Sequence, residues 1–217
     1  MEGLFIKPNL ELVDVGKLVF ELYGLKLIEM KPLESYDDTN VFIRVDPNIH
    51  QNKFLTKIDT NGYTLKILNS QNTINQPIEL QHRIMKKINE SGINTTVPIL
   101  NIKGENSSIQ SLPASRGGKD YFLVRLFNFI PGIPYKAINV TPALAYEVGC
   151  LAGKIDQSLK NIQNENEMAY NVWSMTAIPD LLSSLHYIKS EEDRRLLSTV
   201  IQMFSSKVMS KYTTWPQ

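Results

Sequence analysis

The chain has 217 residues, 23 basic against 22 acidic, a formal net charge of +1 and 42% hydrophobic residues. That apolar content supports a buried core and excludes wholesale disorder, and the charge balance excludes a global field that would draw nucleic acid or an acidic membrane. The single cysteine, Cys150, excludes an internal disulfide framework.

No stretch approaches the roughly 18 uninterrupted apolar residues of a spanning helix. The opening Met1-Glu2-Gly3-Leu4-Phe5-Ile6-Lys7-Pro8 is too short in apolar residues for a signal peptide. The expectation is a cytoplasmic protein. Length alone allows one large domain or two small lobes.

A first helix is expected over Leu10–Tyr23, with Leu12, Val15, Val19 and Leu22 on one face and Gly24 placed to end it. Strands are expected over Lys26–Leu33, Val41–Val45 and Tyr63–Leu68, the last two separated by a polar connector from Asp46 to Gly62. Pro77 and Gly92 bracket a helix over Ile78–Asn89. Val97–Ile102 and Tyr121–Phe127 complete a set of five strands, on either side of a Ser-, Gly- and Lys-rich loop. That order describes an antiparallel sheet with one helix packed on it.

Ile130-Pro131-Gly132-Ile133-Pro134 breaks the chain, and helical periodicity follows. Thr141-Pro142 opens a long helix whose stripe of Leu144, Val148, Leu151, Ile155, Leu159 and Ile162 is expected to face a core, with Cys150 as a small core residue. A shorter helix is expected over Pro179–Ile188, and a last one, capped by Ser190, carries Leu197, Val200, Ile201, Phe204 and Val208. Trp173 reads as a core or lobe-interface group. The fold class is α+β: residues 1–129 form an N-terminal helix plus a sheet lobe, and residues 130–217 a helical segment.

Lys66 is the most informative single residue. Alternation in Tyr63-Thr64-Leu65-Lys66-Ile67-Leu68 puts Lys66 on the face shared with Thr64 and Leu68. A mid-strand lysine among aliphatic neighbours needs either water or an anionic partner. The next helix offers Glu79, and a strand lysine paired with a helix carboxylate is the phosphate-gripping arrangement of kinases. The alternative for Glu79 is a first-turn carboxylate that simply favours the helix dipole.

The segments Leu33-Glu34-Ser35-Tyr36-Asp37-Asp38-Thr39-Asn40, Tyr63-Thr64-Leu65-Lys66-Ile67, Tyr121-Phe122-Leu123-Val124-Arg125-Leu126, Ile130-Pro131-Gly132-Ile133-Pro134 and Tyr146-Glu147-Val148-Gly149-Cys150-Leu151-Ala152-Gly153-Lys154-Ile155-Asp156 occur in an order that resembles the hydroxylysine kinases, a branch of the aminoglycoside phosphotransferase (choline-kinase-like) family. The resemblance runs from about Val13 to Lys211. It implies a protein-kinase-like two-lobe fold, with Ser35 to Asn40 as the turn over the nucleotide phosphates and Lys66 as the phosphate-binding lysine. It places an acidic partner at Glu79 or near Gln81, and makes Phe127, Asn128 and Phe129 a hinge that reads the purine edge. The implied reaction is transfer of a phosphoryl group from GTP, or ATP, with Mg2+, to the small amino-alcohol 5-hydroxylysine.

The same resemblance calls for a His-Gly-Asp-x-x-x-x-Asn catalytic loop and an Asp-Phe-Gly-like metal site. His50, His82 and His186 begin no such loop and no Asp-Phe-Gly occurs, so neither a catalytic residue nor a metal ligand is assigned. The expectation is a kinase by family, truncated before its catalytic loop and inactive as a 217-residue chain. The alternative is a non-catalytic nucleotide- or partner-binding module of pseudokinase type.

Overall fold

In the computed structural model, which describes residues 6–36, 38–75, 77–162, 174–212 and 214, the first element is helix α1, Leu12–Tyr23. It stops where expected: Gly24 takes the left-handed conformation at φ 64°, and its N–H donates to the Phe20 carbonyl. Strands β1 (Leu25–Leu33), β2 (Thr39–His50) and β3 (Tyr63–Ile67) follow, then helices α2 (Ser70–Asn75) and α3 (Ile78–Glu90). Strands β4 (Pro98–Ile99), β5 (Ser108–Pro113) and β6 (Lys119–Asn128) complete one antiparallel sheet of six strands.

The order across the sheet is β1-β2-β3-β6, with β4 and β5 both on the far edge of β6. Six strands stand where five were expected, because that edge is split. Pro98 and Ile99 pair with Phe127 and Leu126, residues 100–107 loop out, and pairing resumes at Ser108 opposite Val124. The loop is pegged by Asn101, whose Oδ1 accepts from the N–H groups of Lys103 at 2.9 Å and Glu105 at 3.0 Å. Strand β2 also outruns its expected end at Val45, continuing to His50, which pairs with Leu25.

The two sheet faces have different partners. Val41, Leu65 and Leu126 lie in one cross-strand row, and with Ile43, Ile67 and Val124 they pack beneath Val15, Leu18, Val19, Leu22 and Tyr23 of α1. Each aliphatic side chain so buried is worth about 1.5–3 kcal/mol. On the opposite face, Ile78 at the start of α3 packs with Leu68 and Leu123. The chemistry-bearing residues share this second face.

Two compact units divide the chain, Met1–Asn164 and Glu165–Gln217. The first includes helix α4, Pro142–Leu159, capped by Thr141, whose hydroxyl accepts from the Leu144 N–H at 3.2 Å. Its stripe departs from expectation. No residue of α4 is buried, Val148 and Leu151 are exposed, and Cys150 is exposed rather than in a core. The periodicity correctly marked a helix, but amphipathicity does not by itself say what covers the apolar face.

In the second unit, Met175–Tyr187 winds as consecutive 3-10 turns where a helix was expected over Pro179–Ile188. Pro179 has no N–H to give an α-helical ladder. Helix α5, Glu191–Phe204, is capped by Ser190, whose hydroxyl accepts from Asp193 N–H at 3.2 Å. Among the described residues no helix is long and apolar enough to cross a membrane. Trp173, like Asp37, lies outside the described residues.

Candidate nucleotide-phosphate site

Strand register builds the site. Asn40 on β2 stands opposite Lys66 on β3, and Lys66 stands opposite Arg125 on β6. Residues directly opposite in antiparallel strands share a face, with their Cβ atoms about 5 Å apart. Two residues along, Phe42, Thr64 and Phe127 form a parallel row on the same face. The sheet therefore carries a polar row, Asn-Lys-Arg, beside a largely aromatic one.

Two cations side by side repel unless an anion joins them. That anion is Asp38, in the β1–β2 turn, whose Oδ2 lies 2.8 Å from the Lys66 ammonium. The other carboxylate oxygen, Oδ1, accepts from the Asn69 backbone N–H at 3.0 Å and from its side-chain amide at 3.3 Å. Asn69 is fully buried. Its carbonyl accepts from the Thr73 hydroxyl at 2.9 Å, and that hydroxyl oxygen accepts in turn from the Leu123 N–H on β6 at 3.0 Å. A continuous chain of hydrogen bonds thus fixes the carboxylate that faces Lys66.

Arg125 is only 4% exposed, and its Nε and Nη1 have no hydrogen-bond partner. The guanidinium sits 5.2 Å from the centroid of the Phe127 ring, a cation–π contact that anchors it. Burial pushes the Arg125 pKa down, and the Asp38 carboxylate counters that shift. Nearby on α3, His82 is 3% exposed with neither ring nitrogen hydrogen-bonded. Burial first, and the Arg125 charge second, hold its pKa below the usual imidazole value, against an opposing pull from Glu79.

The sequence-predicted residues are distributed as follows. Lys66 and Asn40 are neighbours on the candidate face; Asn40 reaches back through its amide to the Glu34 carbonyl at 3.5 Å, and its Oδ1 is buried without a partner. Ser35 is exposed in the turn, next to Tyr36, whose carbonyl accepts from the Lys7 ammonium at 2.5 Å. Glu79 does not supply the carboxylate on Lys66. It lies in the first turn of α3, 78% exposed, with its carboxylate 3.6 Å from His82 Nδ1. Gln81, in the same helix, is half-buried.

Phe127, in the aromatic row, and Asn128 end β6, and Phe129 follows directly. Phe127 is buried, and Phe129 meets Phe42 edge-on with ring centroids 4.8 Å apart. Two backbone donors of this segment are already committed: Asn128 N–H to the Val97 carbonyl at 3.4 Å and Phe129 N–H to the Gly62 carbonyl at 3.1 Å. Sequence reasoning placed Asp38 only within the turn from Ser35 to Asn40, without its pairing to Lys66, and missed Asn69, Arg125 and His82 as members of this cluster. Arg125 carried the same signal as Lys66, a charge inside an apolar strand.

In charge and shape the face suits an anion beside an aromatic platform. Asp38 is its carboxylate, and that group already holds Lys66 and Asn69. Among the described residues no group of three or more His, Cys, Asp or Glu gathers as metal ligands. What the arrangement can do chemically is bind and orient an anionic group.

No known family profile matches the chain. Among curated proteins it is 31% identical over 213 residues to hydroxylysine kinase of Bos taurus and 28% identical over 210 residues to that of Danio rerio. Each alignment covers 94% of this chain but only 54% and 56% of the relative, so the chain spans about half the length of the curated relatives it matches. Among solved structures it is similar to amicoumacin kinase in complex with AMP-PNP, Ca2+ and Ami, with a TM-score of 0.58, 19% identity, and coverage of 96% of this chain and 55% of that one. The chain is similar to the hydroxylysine kinases over 94% of its own length, and its α+β fold is kinase-like.

Proposed function

We propose that the chain is the nucleotide-binding part of a hydroxylysine-kinase-like phosphotransferase, with residues 1–129 as its sheet lobe and residues 130–217 as part of a helical lobe. Lys66 grips the nucleotide phosphates, the turn from Ser35 to Asn40 lies over them, and the aromatic row with Phe127, Asn128 and Phe129 receives the purine. With Asn128 and Phe129 N–H already engaged, the base edge is read mainly by carbonyl oxygens of this segment. The nucleotide is GTP or ATP with Mg2+, the acceptor 5-hydroxylysine, and the compartment the cytoplasm. The observation that carries this reading is the Lys66–Asp38 pair on the same sheet face as the aromatic row.

The 217 residues contain neither a His-Gly-Asp loop nor an Asp-Phe-Gly segment, so we assign them binding without transfer. Nearly all catalysis of this class comes from positioning and electrostatics, which those segments supply. Metal-free GTP and ATP are expected to raise the melting temperature, and Lys66→Met to abolish the shift. No shift at millimolar nucleotide overturns the reading of the site. Turnover of 5-hydroxylysine that depends on Lys66 overturns the absence of transfer.

A second reading, a nucleotide-binding module that acts by docking a partner, is favoured by the exposed apolar side chains Val148 and Leu151 on α4. Nucleotide binding with a partner-dependent change in affinity separates it from the first.

A further inference from the structure

The Lys66 site has two buried or half-buried cations and one fixed carboxylate, and the carboxylate does not come from the helix. We propose that Asp38 is the positioning residue for Lys66, in place of a carboxylate on α3, and that Arg125 keeps it in place when Lys66 turns to a phosphoryl group. The proposal rests on the nucleotide reading above and gives Asp38 a role that reading does not.

Three observations converge on it. First, the pair is made: Asp38 Oδ2 and Lys66 Nζ are 2.8 Å apart, with both side chains largely shielded at 12% and 27% exposure. Glu79, by contrast, sits 78% exposed against His82. A positioning carboxylate must itself be held, since a group free to rotate lends no orientation to its partner. Asp38 is held through Oδ1 by both nitrogens of Asn69. Asn69 is tied through Thr73 to Leu123 on β6.

Second, the charge count is uneven. Lys66 and Arg125 face each other in register, and Asp38 offsets one of the two charges. Arg125 retains Nε and Nη1 without acceptors although it is 4% exposed. A cluster short of one negative charge favours an anionic ligand, and the strand lysine is its most accessible member.

Third, the turn that carries Asp38 is tied to neighbouring segments. Lys7 donates to the Tyr36 carbonyl at 2.5 Å, and Ile6 and Ser70 exchange backbone and hydroxyl hydrogen bonds at 3.0 and 3.2 Å. The carboxylate therefore arrives at Lys66 on a braced support, and a turn without glycine can serve here because it contributes a side chain.

The opposite possibility is that Asp38 is a plug, an internal anion occupying the place of a phosphate. Calorimetry with metal-free GTP, inorganic triphosphate and guanosine separates the two. For the positioning role, Asp38→Asn lowers affinity for GTP and for triphosphate by about tenfold or more. Guanosine binding stays unchanged, and Glu79→Gln leaves all three unaffected. A rise in triphosphate affinity in Asp38→Asn shows a plug and overturns the proposal, and equal affinities in the two proteins overturn it as well. Should Asp38→Asn fold poorly, Asp38→Asn/Arg125→Met removes one charge of each sign, and recovery of wild-type triphosphate affinity in that double variant also overturns the proposal.

A nucleotide-free readout keeps this inference distinct from the reading beneath it. Acylation of Lys66 by acetic anhydride, followed by peptide mass spectrometry, is expected to speed up several-fold in Asp38→Asn and not in Glu79→Gln. Faster acylation with no GTP binding by the unaltered chain means that the ion pair stands while the nucleotide reading and this role both fall. Unchanged acylation together with normal GTP binding overturns the Asp38 role alone.

Discussion

Arg125 on β6 stands directly opposite Lys66 on β3, two cations on one sheet face with the Asp38 carboxylate 2.8 Å from the lysine. This geometry makes the three charges energetically interdependent. Asp38→Asn leaves both cations without an anion and is expected to cost about 1.5–3 kcal/mol, the range of hydrogen bonds to charged groups. Arg125→Met removes a desolvated guanidinium whose Nε and Nη1 are unbonded, and is expected to stay within about 1 kcal/mol of the parent. In the double variant the Asp38 substitution costs less, by about 1 kcal/mol, because one repulsive partner has gone. Urea unfolding of the four proteins measures this coupling, and strict additivity would sink the account.

His82 gives the fold a pH dependence whose sign follows from its surroundings. Burial and the Arg125 charge lower its pKa in the folded chain, whereas the unfolded chain titrates near the ordinary value of about 6.5. Between those values the unfolded state binds the proton more readily, so acidification favours unfolding. The stabilising contribution is complete above about pH 6.5 and is lost as pH falls toward the folded value, with a slope of at most about 1.4 kcal/mol per pH unit. Melting temperatures from pH 8 to 5 should show a decline that is shallower in His82→Gln. Identical profiles would remove His82 as the source.

Much of this architecture is legible in the sequence, and the exceptions have physical causes. Helices α1, α3, α4 and α5 and strands β1, β3 and β6 lie close to where periodicity, Gly24, Pro77 and Ser190 place them. Strand β5, Ser108–Pro113, was hidden because it is an edge strand in which Ser108, Gln110 and Ser111 are polar and only Leu112 is buried. Helix α2, Ser-Gln-Asn-Thr-Ile-Asn, has no apolar face to read; its Thr73 bonds to Leu123 reveal its purpose only in three dimensions. In the site, Lys66 could be found because a charge interrupts an apolar strand. Asp38 could not be assigned to it, since pairing across a turn depends on strand register, which local composition does not encode.

Gly62 is expected to be intolerant of substitution. It has φ +90°, and a Cβ there would lie 2.6 Å from the Ile43 carbonyl oxygen and 2.8 Å from the Phe42 ring. Its own carbonyl accepts from Phe129 N–H, so a shift at Gly62 disturbs the residue that follows β6. Gly92 shares a positive φ of 80° but would meet nothing within 4 Å. Gly92→Ala should cost about 1 kcal/mol of backbone strain, and Gly62→Ala that strain plus overpacking, roughly 2–4 kcal/mol. Equal losses in melting temperature would show that strain alone decides both positions.

Asn128 ties the end of β6 to the split edge of the sheet. Its Oδ1 accepts from Val97 N–H at 2.6 Å, and its own N–H donates to the Val97 carbonyl at 3.4 Å. The next residue, Pro98, has no N–H, so two-residue β4 depends on Val97 for a donor at its entry. Asn128→Ala removes the acceptor and leaves a half-buried N–H unpaired, at a cost of about 1–3 kcal/mol. Asn128→Asp keeps an acceptor oxygen in place and is expected to recover most of that loss. Hydrogen exchange at Val97 gives the direct readout: protection falls at least tenfold in Asn128→Ala, corresponding to about 1.4 kcal/mol, and returns in Asn128→Asp. Undiminished protection in Asn128→Ala would show that packing, and not this side chain, holds β4 against the end of β6.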